Sequence, residues 1–142
     1  MIKRHQIENI VPLSVSLISL ILIFNYYSIS LNYFSGLLFA STGNIIWWLG
    51  KLRLGDAFYD VLEKPNAKRL ITTGVYSKIR HPIYLGMILV TIGWALLFNF
   101  SIMYLLTVGF VVFLLIKMHI EDKFLSRKFR QKWQNYRKNS WF

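Results

Sequence analysis

Two long stretches of this chain carry no charged side chain. No Asp, Glu, Lys or Arg occurs from Asn9 to Gly50 or from Pro82 to Ile116, blocks of 42 and 35 residues. A bilayer-spanning helix needs about 20 apolar residues. Each block is too long for one such helix and fits two, so each reads as a helical hairpin. The predicted spans run over about 10–27, 33–49, 82–98 and 102–118.

Composition agrees with this only because charge and apolarity are kept apart along the chain. The protein is 55% hydrophobic yet has a net charge of +11. Its Lys and Arg residues lie in three places: the N-terminal stub, the segment from Lys51 to His81, and the tail after Ile116. The turns of the two hairpins have none. The positive-inside rule then places both termini and the middle segment in the cytoplasm. In a prokaryote that means the plasma (inner) membrane. The first apolar run follows Lys3, Arg4 and His5, as in a signal peptide. No small-x-small cleavage site follows it, so a retained signal-anchor helix is expected. The sequence has no cysteine, which excludes disulfides and thiolate chemistry. No low-complexity linker divides the chain, so residues 1–142 are expected to form a single domain.

Within the second predicted span, Gly36, Ala40 and Gly43 form a small-residue stripe that permits close helix packing. Asn44 is polar within that span and reads as interhelical glue, while Trp47 and Trp48 suit an interfacial aromatic belt. A short amphipathic helix is expected over Asp56 to Leu62, broken at Pro65-Asn66. Leu70 to Gly74 reads as an extended stretch ending in a turn. In the tail, Leu125, Phe129, Trp133 and Tyr136 recur near helical spacing among seven basic residues. That pattern predicts an amphipathic helix from about Glu121 to Tyr136 lying on an anionic membrane surface. Nucleic-acid binding, the other use of so many basic residues, is not expected, because a membrane interface accounts for the charge. The predicted fold class is therefore all-α: an integral membrane bundle of four transmembrane helices with a C-terminal amphipathic interfacial helix.

The stretch with most chemistry is Gly74 to Gly86, GVYSKIRHPIYLG. Proline is favoured at the first helical position, so Pro82 marks a helix start with Arg80 and His81 just outside it. A helix start presents unpaired N–H groups and a partial positive charge that favour an anion. Arg80 adds a planar fork of donors. Tyr84 lies in the first turn, and Gly86 lets a ligand or another backbone come close. Hairpin arms of nearly equal length return the chain to its starting depth. Arg80-His81 and Glu121-Asp122 are thus expected to be neighbours. A carboxylate at the C-terminal end of a span faces the negative end of the helix dipole. Arg80, His81, His119 or a cationic ligand would compensate Glu121; a purely structural Glu121–Arg80 pair is the plainer alternative.

RHPIYLG, preceded by LITTGVYSKI and followed by Glu121-Asp122 after the next span, resembles the RHPxYxG signature and acidic pair of the isoprenylcysteine carboxyl methyltransferase-like and phospholipid methyltransferase-like integral membrane enzymes. The resemblance covers roughly residues 50 to 138. It implies an S-adenosyl-L-methionine-dependent methyltransferase acting on a lipophilic acceptor: a prenylcysteine-type carboxylate, a phospholipid amine or another small lipophilic group. Position by position, it implies a cofactor pocket of Tyr76, Arg80, His81, Pro82, Tyr84, Gly86 and Glu121, with Arg80 and Glu121 catalytic and no metal. Two places depart from the pattern. The acidic pair is usually Glu-Glu, and here the second is Asp122; a tail Tyr-x-x-Tyr is here Trp133 and Tyr136. Sterol-reductase-like, NADPH-dependent membrane enzymes share a related signature, but Ile83 and Met87 stand where those have Asn and an acid. A non-catalytic lipid-binding protein on the same fold is the third reading.

Overall fold

A computed structural model describes residues 31–55, 67 and 69–142. The expected first span (10–27) and the short helix expected at 56–62 lie outside the described residues. Among the described residues the structure is helical, with α1 over Leu31–Leu54, α2 over Pro82–Phe98, α3 over Ser101–Phe129 and α4 over Gln131–Lys138. A 3-10 turn, Gly74–Ser77, precedes α2.

The strongest packing joins α1 to α2 through the predicted small-residue stripe. A Cβ built on Gly43 would lie 2.6 Å from the Gly86 carbonyl oxygen and 2.7 Å from the Val90 nitrogen. One built on Gly93 would lie 2.7 Å from the Gly36 carbonyl oxygen. Only hydrogen fits between these backbones, so glycine on both helices sets how closely they approach. Higher up, the buried pair Tyr33 and Leu97 packs with Leu37, Trp94 and Phe98. Asn44 does not serve as interhelical glue; its amide donates to the Ala40 carbonyl of its own helix at 3.0 Å. A carbonyl one turn back in the same helix is the acceptor it reaches.

Helix α2 begins where expected, with Pro82 at its first position and fully buried. It ends at Asn99, whose φ of 51° turns the chain while its N–H donates to the Ala95 carbonyl at 2.9 Å. Phe100 is extended, and α3 starts at once. The 82–116 block is therefore a helical hairpin, as its length predicts. Its arms are tied near the middle by Thr107 Oγ1 donating to the Thr91 carbonyl at 3.3 Å.

Among the described helices, α3 is the one long and apolar enough to cross a membrane, and α2 is a shorter apolar helix of 17 residues. The outward side of α3 is open: Leu105, Leu106, Val108, Val112, Leu115 and Ile116 are exposed, and a Cβ on Gly109 would meet nothing within 4 Å. The 29 residues of α3 span about 43 Å at ~1.5 Å per residue, well beyond the ~30 Å of bilayer hydrocarbon. The excess falls at the C-terminal end, where Lys117, Glu121, Asp122, Lys123, Arg127 and Lys128 lie.

The tail departs from a single interfacial helix. Residues 121–129 continue α3 without a break, because no Gly or Pro interrupts the backbone hydrogen bonding after Met118. The chain bends instead at Arg130, with φ 46°, and resumes as the short α4. Its apolar side is used internally. Leu125, Trp133 and Tyr136 form a buried cluster against Ala67, Leu70, Phe124 and Phe129. Beyond α4, the chain runs parallel to the stretch before α2. Trp141 N–H donates to the Lys78 carbonyl at 2.7 Å, and Arg80 N–H donates to the Trp141 carbonyl at 3.1 Å.

Candidate active site

The hairpin brings the start of α2 and the charged end of α3 to one level, and the side chains there meet. His81, only 4% exposed, is the residue just before α2. Its Nε2 lies 2.7 Å from Asp122 Oδ1, a charge-assisted hydrogen bond by length. Its Nδ1 faces Glu121 Oε2 at 4.0 Å, outside hydrogen-bond range. Tyr84, one turn into α2, sets its ring edge against the His81 ring with centroids 5.6 Å apart, and its side chain hydrogen-bonds Glu121. One imidazole is thus flanked by two carboxylates, one engaged and one held at a distance.

Tyrosines close the other sides. Tyr76 sits in the 3-10 turn and is 7% exposed. Burial, and then the Glu121 carboxylate, push its phenol well above the usual tyrosine range. Tyr136, on α4, donates its hydroxyl to the Tyr76 carbonyl at 2.7 Å. Burial raises the Tyr136 phenol from 10.0 to about 12; Arg80 opposes the rise and Asp122 adds to it. Both phenols are therefore protonated donors at neutral pH. The α4 cluster holds this arrangement, with Trp133 packed edge-on against Tyr136 at 5.6 Å.

Arg80 points elsewhere than a pairing with Glu121 requires. Its Nη1 donates to the Ser140 carbonyl at 2.9 Å, while its Nε is buried without a hydrogen-bond partner. The backbone N–H groups of Arg80 and His81 both reach the Phe142 backbone oxygen, at 2.9 and 3.1 Å. Donors that the sequence offers to an anion are thus partly engaged by the tail's own carbonyls. Pro82 and Gly86 face α1. Gly50 packs on Pro82, and a Cβ on Gly86 would lie 2.7 Å from both the Gly43 carbonyl oxygen and the Trp47 backbone nitrogen. Gly86 therefore accommodates another backbone.

Of the residues singled out in the sequence, Tyr76, His81, Tyr84 and Glu121 come together, Arg80 adjoins them through its backbone, and Pro82 and Gly86 support them from behind. His119 is exposed. Sequence reasoning left Asp122 without a role, yet it holds the shortest bond to His81. It also missed that Tyr136 ties the tail to the Tyr76 carbonyl. The signal for the first was a histidine at the same depth with only one partner assigned.

The group set suits a zwitterionic ligand carrying hydroxyls. A carboxylate and an imidazole take N–H and O–H donors, phenols and imidazole offer ring faces and hydroxyls, and the buried, unpartnered Arg80 Nε is a donor suited to an anion. Comparison with curated proteins and with solved structures finds no match. A family model for phospholipid methyltransferases matches residues 31–132, which include every one of these groups except Tyr136 and the Ser140–Phe142 strap, and cover more than half of the chain. The chain belongs to the phospholipid methyltransferase family.

Proposed function

We propose that this protein is an integral membrane methyltransferase that takes its methyl group from S-adenosyl-L-methionine and delivers it to a lipophilic acceptor. The observation that carries the reading is the meeting of His81, Tyr84, Glu121 and Tyr76 at the open end of the α2–α3 hairpin, in a chain of this family. When bound, S-adenosyl-L-methionine supplies an activated methyl on its sulfonium, so the protein's task is to position two partners and exclude water. Glu121 takes an ammonium or a ribose hydroxyl of the donor. Arg80 Nε takes its carboxylate. Tyr76 and Tyr84 orient through hydroxyl and ring face. Burial of His81 and Tyr76 and the cover provided by α4 keep water out. The acceptor's headgroup comes to this level from the bilayer side, past the exposed apolar face of α3.

The reading includes four spans, with both termini and the site on the cytoplasmic face. What supports it is the length and apolarity of α3, the hairpin geometry of α2 and α3, and the placing of basic residues at the ends of the two charge-free blocks and none at their turns. The test is to incubate purified protein with methyl-labelled S-adenosyl-L-methionine and a lipid extract, then identify the labelled lipid. Label in a lipid product supports the reading. No transfer from a preparation that binds NADPH would replace it with a reductase, and binding of neither cofactor would leave a lipid-binding protein.

A further inference from the structure

Residues 140–142 lie along residues 78–81 as a strap, and their backbone oxygens meet the donors of Arg80 and His81. The Ser140 carbonyl accepts from Arg80 Nη1 at 2.9 Å. The Arg80 N–H is shared between the Trp141 carbonyl at 3.1 Å and the Phe142 backbone oxygen at 2.9 Å, and the His81 N–H reaches the latter at 3.1 Å. In return the Trp141 N–H donates to the Lys78 carbonyl at 2.7 Å, with Ile79 and Trp141 paired in parallel.

The strap is an incomplete partner for these donors. A guanidinium presents its N–H groups as a fork that matches the two oxygens of a carboxylate. Arg80 instead meets a neutral carbonyl at Nη1, and its Nε is buried with no partner. The two acids at this level, Glu121 and Asp122, face His81. Nor is the strap packed down. Trp141 is 58% exposed, and Ser140 and Phe142 are only partly buried. A segment held by hydrogen bonds with little apolar burial opens at low cost.

We propose that residues 140–142 form a displaceable strap, which holds the Arg80 and His81 donors until the carboxylate of an incoming ligand takes them. That ligand is the methyl donor, so the proposal rests on the methyltransferase reading. The ligand binds in proportion to the open fraction; a strap closed about nine-tenths of the time weakens binding about tenfold. A ligand with the same nucleoside and no carboxylate does not compete with the strap.

The experiment titrates S-adenosylhomocysteine and methylthioadenosine, which lacks the amino-acid carboxylate, into the full chain in lipid nanodiscs. Trp141→Pro removes the N–H that binds the Lys78 carbonyl and so opens the strap. Ile79→Cys with Trp141→Cys places a thiol pair in a chain that has no cysteine of its own. Oxidation of the pair locks the strap, and reduction frees it. S-adenosylhomocysteine is expected to bind about tenfold more tightly to Trp141→Pro than to wild type, and about tenfold more weakly to the oxidised pair than to the same protein reduced. Methylthioadenosine affinity is expected to stay within about twofold throughout. In the wild type, amide exchange at Trp141 should accelerate when S-adenosylhomocysteine binds and not when methylthioadenosine binds. An S-adenosylhomocysteine affinity that is unchanged or lower in Trp141→Pro overturns the proposal. So does slower Trp141 exchange in the bound state, or an equal response to both ligands, which would make the strap a structural brace. These results leave the methyl-donor reading standing. If neither wild type nor Trp141→Pro binds S-adenosylhomocysteine, that reading falls and the strap proposal falls with it.

Discussion

Replacing Gly43 by alanine adds one methyl group where the two helices of the scaffold nearly touch. The new Cβ would lie 2.6 Å from the Gly86 carbonyl oxygen, 2.7 Å from the Val90 nitrogen and 2.9 Å from the Leu89 Cβ. Two of these are backbone atoms of α2, so no rotamer change relieves the contact and the helices must part. Overpacking of this kind costs about 1–3 kcal/mol, and contact with backbone places Gly43→Ala at the upper end, near ~3 kcal/mol. Alanine recovers about 1 kcal/mol in helix propensity, leaving a net loss of about 2 kcal/mol. Gly109→Ala is the control. It is the same substitution in a helix, at a position where a Cβ meets nothing within 4 Å. Only the propensity gain remains there, up to about 1 kcal/mol in favour of the variant. The two variants should thus differ by about 3 kcal/mol, with propensity cancelling. Denaturant unfolding of both in the same detergent measures the difference. Equal stability of Gly43→Ala and Gly109→Ala would refute the argument that glycine sets the α1–α2 spacing.

Two further outcomes follow from the tail. Trp133 is 2% exposed at the centre of the cluster that seats α4, so Trp133→Ala should cost about 3–5 kcal/mol and speed proteolytic cleavage within residues 131–138. The Tyr136 phenol ionises at 10.0 when unfolded and at about 12 when folded. The folded state holds that proton longer, so this contribution to stability is intact below pH 10.0 and is lost as pH rises toward about 12. Tyr136→Phe should be less stable at neutral pH by about 1 kcal/mol for the lost bond to the Tyr76 carbonyl. It should also lose less stability above pH 10.0 than the wild type, as unfolding curves across that range will show.

The parts of this structure legible in the sequence are those fixed by local chemistry or chain length. The charge-free block from Pro82 to Ile116 had to turn near its middle, and it does so at Asn99. Pro82 had to open a helix, and equal arms had to bring His81 and Glu121 to one level. The Gly36, Ala40 and Gly43 stripe announced a close helix contact, though not which helix would meet it. Less legible were the places where a distant carbonyl outbids an expected partner. Arg80 reaches Ser140, sixty residues away, and no periodicity encodes that contact. Glu121 and Asp122 are neighbours on α3, and only the helix's rotation relative to His81 decides which of them makes the short bond. The bend at Arg130 carries no glycine to signal it; the packing of Trp133 and Tyr136 imposes it.

The central claim is that Glu121 belongs to a methyl-donor site, and one titration tests it most directly. S-adenosyl-L-methionine is added to folded wild-type protein and to folded Glu121→Gln, which keeps the side-chain shape and removes the charge. Loss of one charge-assisted hydrogen bond costs roughly 1.5–3 kcal/mol. The wild type is therefore expected to bind, and the variant to bind about tenfold to a hundredfold more weakly. Equal affinity in the two proteins would contradict it and leave Glu121 as a structural neighbour of His81 and Tyr84.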